Sequence, residues 1–137
     1  MKVGVEGFTF DSAHYTRSSS ERCLNIHGHT FRLDVEVEGE INPDTGMIMD
    51  FALLKKGVRE VVEDYDHKVI IPQRDSDKVT FSGPFHKSVK TINYPEATTE
   101  YLALDIARRL YEKFGMKVRV KLFEGERSYV VVEHGEE

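Results

Sequence analysis

Cys23-Leu24-Asn25-Ile26-His27-Gly28-His29 runs without a break into Thr30-Phe31-Arg32-Leu33-Asp34-Val35-Glu36-Val37-Glu38. In the second half apolar and charged residues alternate strictly, which is the pattern of a half-buried β-strand. Side chains two apart on a strand share a face, so Phe31, Leu33, Val35 and Val37 lie together. His27 and His29 are also odd-numbered, and strand geometry extended backwards lays both imidazoles on the apolar side. Burying two neighbouring imidazoles in apolar surroundings without partners is costly. A shared metal ion removes that cost.

Upstream, Val3 and Val5 alternate with polar residues until the phase slips at Gly7 and continues as Phe8, Phe10, Ser12 and His14. A glycine at a phase slip predicts a bulged first strand, with His14 on the side of Phe8 and Phe10. Residues 15–26 are polar, include Ser18-Ser19-Ser20, and would return the second strand beside the first. Such a hairpin can set His14 against His27 and His29; the alternative reading is an accidental His-x-His with one or both rings exposed. Three protein ligands with an open fourth position is the pattern of catalytic zinc. Cys23 has three readings: a fourth ligand, a small packed hydrophobe, or a thiolate nucleophile or base activated by nearby positive charge.

Asn42-Pro43-Asp44-Thr45-Gly46 is a turn, and Asp50 caps a helix expected through about Asp64 with Leu54, Val58, Val61 and Tyr65 inward. Asp66-His67 at its exit is either a surface pair or an oriented imidazole that exchanges protons with Cys23. Residues 68–97 read as a long loop containing a small hairpin of Val79-Thr80-Phe81 and Val89-Lys90-Thr91-Ile92. A second helix starts at Thr98 or Thr99, carries Leu102, Ile106, Leu110 and Phe114 inward, and stops at Gly115. Thr98, Thr99 and Glu100 are explained as helix-start chemistry.

Val118 to Glu124 and Tyr129 to Glu133 read as a closing hairpin around Gly125-Glu126-Arg127-Ser128, with Glu124 on the apolar face. A lone carboxylate there needs a partner, either Lys or Arg or the N–H groups of a bound heterocycle. The expected order is ββααββ, an α+β fold with a four-stranded antiparallel sheet and two helices on one face. It is read as one domain over residues 1–137.

Composition narrows the function. A net charge of −5 and a pI of about 5.7 offer no general nucleic-acid footprint. No run of eighteen apolar residues and no apolar leader is present, so neither a membrane span nor secretion is expected. A single cysteine cannot form an intramolecular disulfide, which fits a reducing, cytoplasmic setting.

Taken together, Phe10-Asp11-Ser12-Ala13-His14, Cys23-x-x-x-His27-Gly28-His29, Gly46-Met47-Ile48-Met49-Asp50-Phe51, Asp66-His67-Lys68, Thr98-Thr99-Glu100 and Glu124 form one ordered set across nearly the whole chain. The chain resembles the 6-pyruvoyl- and 6-carboxy-tetrahydropterin synthases of the tunnelling fold. The resemblance implies a Zn2+ site of His14, His27 and His29. It also implies catalysis by Cys23 with Asp66 and His67, that pair reaching in from a neighbouring subunit. Glu124 would anchor the pterin, helped by Thr98, Thr99 and Glu100. It further implies a homohexamer, two trimers whose sheets close into a barrel, acting on 7,8-dihydroneopterin triphosphate. Arg17, Arg22 and Lys68 are the basic candidates for the triphosphate. The run Ala97-Thr98-Thr99-Glu100-Tyr101 departs from the family's Pro-Thr-Ser/Thr-Glu-Asn.

Three residues separate Cys23 from His27, the shorter spacing that resembles the carboxy-forming enzymes of the deazaguanine (queuosine and archaeosine) pathway. The expected activity is therefore a zinc-dependent lyase giving 6-carboxy-5,6,7,8-tetrahydropterin. The alternatives are the pyruvoyl-forming reaction, a non-catalytic zinc- or pterin-binding module, and a related aldolase or cyclohydrolase.

Overall fold

The computed structural model describes residues 1–17 and 20–135, so the Ser18-Ser19 part of the expected loop lies outside the described residues. Two long strands form the centre. β1 (Lys2–His14) and β2 (His27–Glu38) run antiparallel, with Phe10 opposite Phe31, Ser12 opposite His29 and His14 opposite His27. The register slips between Val5 and Phe8, where Gly7 takes φ 82° and its amide donates to Asp34 Oδ1 at 2.9 Å. That slip keeps both halves of β1 facing the same core. β5 (Lys117–Glu124) pairs with the far side of β2, Phe31 opposite Glu124, and β6 (Ser128–His134) returns from it through Gly125 at φ 75°.

The sheet has six strands and is mixed, not four-stranded and antiparallel. β3 (Lys68–Pro72) lies parallel to β1, and β4 (Val89–Ile92) lies parallel to β3, giving the order β4-β3-β1-β2-β5-β6. The expected hairpin is absent, because residues 79–81 form no strand and Val89–Ile92 pairs with β3 instead. The physical reason is burial on both sides. Ile70 and Ile71 are buried within a continuous Val69-Ile70-Ile71 run, and such a strand shows no alternation to read.

Among the described residues there are three α-helices, α1 (Glu21–Leu24), α2 (Phe51–Glu63) and α3 (Thr99–Phe114), and a 3-10 turn at Gln73–Asp75. Asp50 caps α2 by accepting the Ala52 amide at 2.7 Å, and Thr98 caps α3 by accepting the Tyr101 amide. Gly115 ends α3 in the left-handed region at φ 67°. Leu54, Val58, Val61 and Tyr65, with Leu102, Ile106 and Leu110, join Phe31, Leu33, Val35 and Val37 in one buried cluster. Gly57 lets the Phe114 ring close on α2, since a Cβ there would sit 2.5 Å from that ring. Deeper in, the Tyr65 hydroxyl meets Asp105, and Arg109 reaches Asp64 Oδ2 at 2.8 Å. The other sheet face is polar, with Asp34 opposite Lys121 and Glu36 opposite Arg119. No described helix is long and apolar enough to cross a membrane.

Candidate metal centre

The register of β1 against β2 brings His14, His27 and His29 together at one end of the sheet, with ring centroids 4.7 to 5.1 Å apart. One nitrogen from each ring lies within 4.8 Å of the other two. The His14 Nδ1 sits 2.8 Å from the Ala97 carbonyl, and the His27 Nδ1 sits 2.7 Å from the Asn25 carbonyl. A carbonyl only accepts, so in both rings Nδ1 carries the proton and Nε2 keeps a lone pair. Oriented imidazoles of this kind are the usual preparation for metal ligation. The Nε2 atoms of His14 and His29 are buried and have no hydrogen-bond partner, a costly state that a cation relieves. His14 is 1% exposed, and burial lowers its pKa against the opposing pull of the Ala97 carbonyl and Glu124. The neutral ligand form is thereby favoured. The donor set fits a metal ion, and zinc accepts three imidazoles.

Glu124, at the end of β5, lies beside this cluster. Its Oε1 is 3.4 Å from His14 Nε2 and 3.7 Å from His29 Nε2, and it accepts the Thr99 hydroxyl at 2.9 Å. Thr99 is nearly buried in the first turn of α3, so a helix start is what aims the carboxylate. Thr98 is spent on the cap, and Glu100 is exposed on the first turn, where its charge suits the helix dipole.

Cys23 lies in α1 and not in an irregular loop. Its amide donates to Ser20, and its carbonyl accepts the Thr16 amide at 2.7 Å. Its sulfur is not among the clustered ligand atoms of the described residues, which leaves the candidate metal group as three histidines.

Asp66 and His67 do not join the histidines within the chain. Along β1, Phe10, Ser12 and His14 are buried while Asp11 is exposed, so Asp11 points to the opposite sheet face. The Asp11, Asp66 and His67 ligand atoms lie within 4.8 Å of one another on that face. Asp66 Oδ1 accepts the Asp11 amide at 2.9 Å, which holds its pKa below the usual carboxylate value, and its Oδ2 is 3.0 Å from His67 Nδ1. The same contact raises the His67 pKa, although that ring is largely exposed.

Two of the basic candidates are already engaged: Arg17 Nη1 donates to both Glu96 carboxylate oxygens, at 2.9 and 3.0 Å, and Lys68 meets Asp64 at 3.5 Å. The Ala97 and Asn25 carbonyls, which orient two of the histidines, left no trace in the sequence because a backbone acceptor has no residue signature. Asp11 had one, its place on the strand face opposite His14.

A family model described as 6-pyruvoyl tetrahydropterin synthase matches residues 3–135. A Pyrococcus horikoshii protein provisionally named 6-carboxy-5,6,7,8-tetrahydropterin synthase is 34% identical over 138 residues, covering 90% of this chain and 84% of its own. A Pyrococcus furiosus protein named dihydroneopterin monophosphate aldolase is 34% identical over 128 residues, covering 91% of each. The crystal structure of 6-pyruvoyl tetrahydropterin synthase from Plasmodium vivax superposes with a TM-score of 0.80 at 24% identity, over 99% of this chain and 98% of that one. At that identity the superposition speaks for the fold alone.

A curled sheet backed by two long helices, carrying three histidines at one end, places the chain among the pterin-processing enzymes of the tunnelling fold. Within that class, it belongs to the 6-pyruvoyl tetrahydropterin synthase family.

Proposed function

We propose that the chain is a zinc-dependent lyase that turns 7,8-dihydroneopterin triphosphate and water into 6-carboxy-5,6,7,8-tetrahydropterin, acetaldehyde and triphosphate. The observation that carries this reading is the pair of buried, unpartnered Nε2 atoms of His14 and His29, with the Glu124 carboxylate alongside. Zinc held by His14, His27 and His29 would act as a Lewis acid on the hydroxyls of the substrate side chain.

The protein's own residues divide the remaining work. Glu124, aimed by Thr99, accepts N–H groups of the pterin ring and sets its register against the histidines. The backbone around Thr98 and Thr99 walls that end of the site, with Glu100 at its rim. Cys23 moves protons at the side-chain carbons. The Asp66 and His67 ligand atoms cluster with Asp11 and not with the three histidines of their own chain, which favours their serving a neighbouring copy in a homohexamer.

The carboxy product is preferred because three residues separate Cys23 from His27. That short tether limits which carbon the sulfur reaches, and proton transfer needs contact of about 2.6–3.2 Å. The aldolase name of the Pyrococcus furiosus relative supports a second reading, cleavage between the first two side-chain carbons.

Incubating the purified protein with dihydroneopterin triphosphate and trapping volatile aldehyde tests the assignment. Acetaldehyde appearing in step with triphosphate is expected. Triphosphate without acetaldehyde would favour the pyruvoyl reaction, a hydroxymethyl pterin the aldolase, and an unchanged substrate a binding module.

A further inference from the structure

Asp11 occupies the strand face opposite His14 and is bonded to the Asp66–His67 pair through both of its backbone groups. Its amide donates to Asp66 Oδ1 at 2.9 Å, and its carbonyl accepts the His67 amide at 2.6 Å. Its own carboxylate accepts the Thr30 hydroxyl at 2.5 Å from β2, which holds it beside both residues. His67 has φ 58°, a left-handed conformation rare for a residue with a side chain. Such a conformation persists only where its surroundings over-determine it, and the two backbone bonds to Asp11 do so here. The ring ties Nδ1 to Asp66 at 3.0 Å, and His67 lines an open pocket of about 440 Å³.

We propose that Asp11 is the positioning residue of the Asp66–His67 pair: its backbone fixes where the imidazole stands, and its carboxylate, tethered by Thr30, favours the ring in its proton-carrying form. This rests on the reading of Asp66 and His67 as the pair that moves protons in the reaction. An imidazole between two carboxylates holds its proton to higher pH than one beside a single carboxylate, and Asp11 adds to the upward shift that Asp66 causes. The other charged or titratable groups around the pocket are His29 from β2 and Lys68 beside His67. The Lys68 ammonium is turned to the Asp64 carbonyl and carboxylate, at 3.0 and 3.5 Å. Asp11 is thus the carboxylate from outside its own segment that His67 meets.

Asp11→Asn tests this, because the amide keeps the size and an oxygen for Thr30 while removing the charge. The measurements are bound metal, kcat and KM against pH with dihydroneopterin triphosphate, and NMR titration of His67 in histidine-labelled protein. The variant is expected to fold and keep its metal. The His67 titration and the basic limb of the kcat profile both move to lower pH. kcat falls roughly tenfold, part of the contribution of about 10²- to 10⁴-fold that a proton-transferring side chain makes, while KM stays within about twofold.

Thr30→Val, which leaves the charge and frees the carboxylate, should shift both readouts the same way by less. It also carries the test if Asp11→Asn does not fold. An unchanged His67 titration in the variant that folds overturns the proposal, as does loss of metal and KM together with kcat. A wild-type protein inert toward the substrate would overturn the lyase assignment instead, and the NMR titration would still decide the place of Asp11.

Discussion

His14 donates its Nδ1–H to the Ala97 carbonyl across 2.8 Å, joining the last residue of β1 to the residue that precedes the Thr98 cap of α3. The ring is therefore oriented by the fold itself, before any metal is present. That makes the three-histidine cluster a preoriented candidate metal site, and replacing one imidazole by Ala would leave it two donors.

One zinc per chain is expected in the purified protein, and His27→Ala or His29→Ala should each abolish it while leaving the fold intact. Both side chains are partly exposed, so their truncation opens little core. Metal analysis of the dialysed variants checks this. Full occupancy in His29→Ala would remove that residue from the ligand set.

The metal-free protein should lose stability as pH falls below 6.5. Burial holds the His14 pKa below its ordinary 6.5, so on acidification the unfolded chain takes up the proton first. The sign follows from linkage: where the unfolded state binds more protons, stability falls as pH falls. The loss begins near 6.5 and runs down to the lower folded value. Thermal melts of metal-free wild type and His14→Gln between pH 7.5 and about 5 test it, and the variant should lack that part of the slope. An identical slope in both would assign it to other groups.

The histidine cluster was legible because period-two alternation carries a face assignment along a strand, and the same reasoning set Glu124 inward. The Gly7 bulge, the Asp50 and Thr98 caps and the Gly115 stop were legible because each rests on local chemistry. β3 and β4 were not, since buried parallel strands such as Val69-Ile70-Ile71 have no polar face to alternate with. The side of the sheet taken by Asp66 and His67 was not legible either. It depends on hydrogen bonds to Asp11, 55 residues away along the chain from Asp66.

Cys23→Ala is expected to keep its metal and its melting temperature and to lose turnover. The three imidazoles already cluster without the sulfur, and α1 is held there by backbone bonds that alanine preserves. A general base of this kind contributes on the order of 10²- to 10⁴-fold, so residual activity at or below about a hundredth is the outcome sought. Metal loss in Cys23→Ala would make the thiol a ligand.

The proposed pterin-binding role of Glu124 is open to direct measurement. Glu124 Oε1 takes the Thr99 hydroxyl at 2.9 Å and faces His14 and His29 at 3.4 and 3.7 Å, so it lies between an orienting group and the clustered imidazoles. Hydrogen bonds to a charged acceptor contribute about 1.5–3 kcal/mol each, and each 1.4 kcal/mol is roughly a tenfold change in affinity. Glu124→Ala should therefore weaken calorimetric binding of a pterin without phosphate by about tenfold or more, and binding of free triphosphate far less. Thr99→Val keeps the carboxylate and removes only its neutral hydroxyl donor, worth about 0.5–1.5 kcal/mol. Its expected loss is roughly two- to tenfold, in pterin binding alone. If both variants bound the pterin as tightly as wild type while retaining metal, Glu124 would have no part in holding the ring, and its place beside the histidines would need a different explanation.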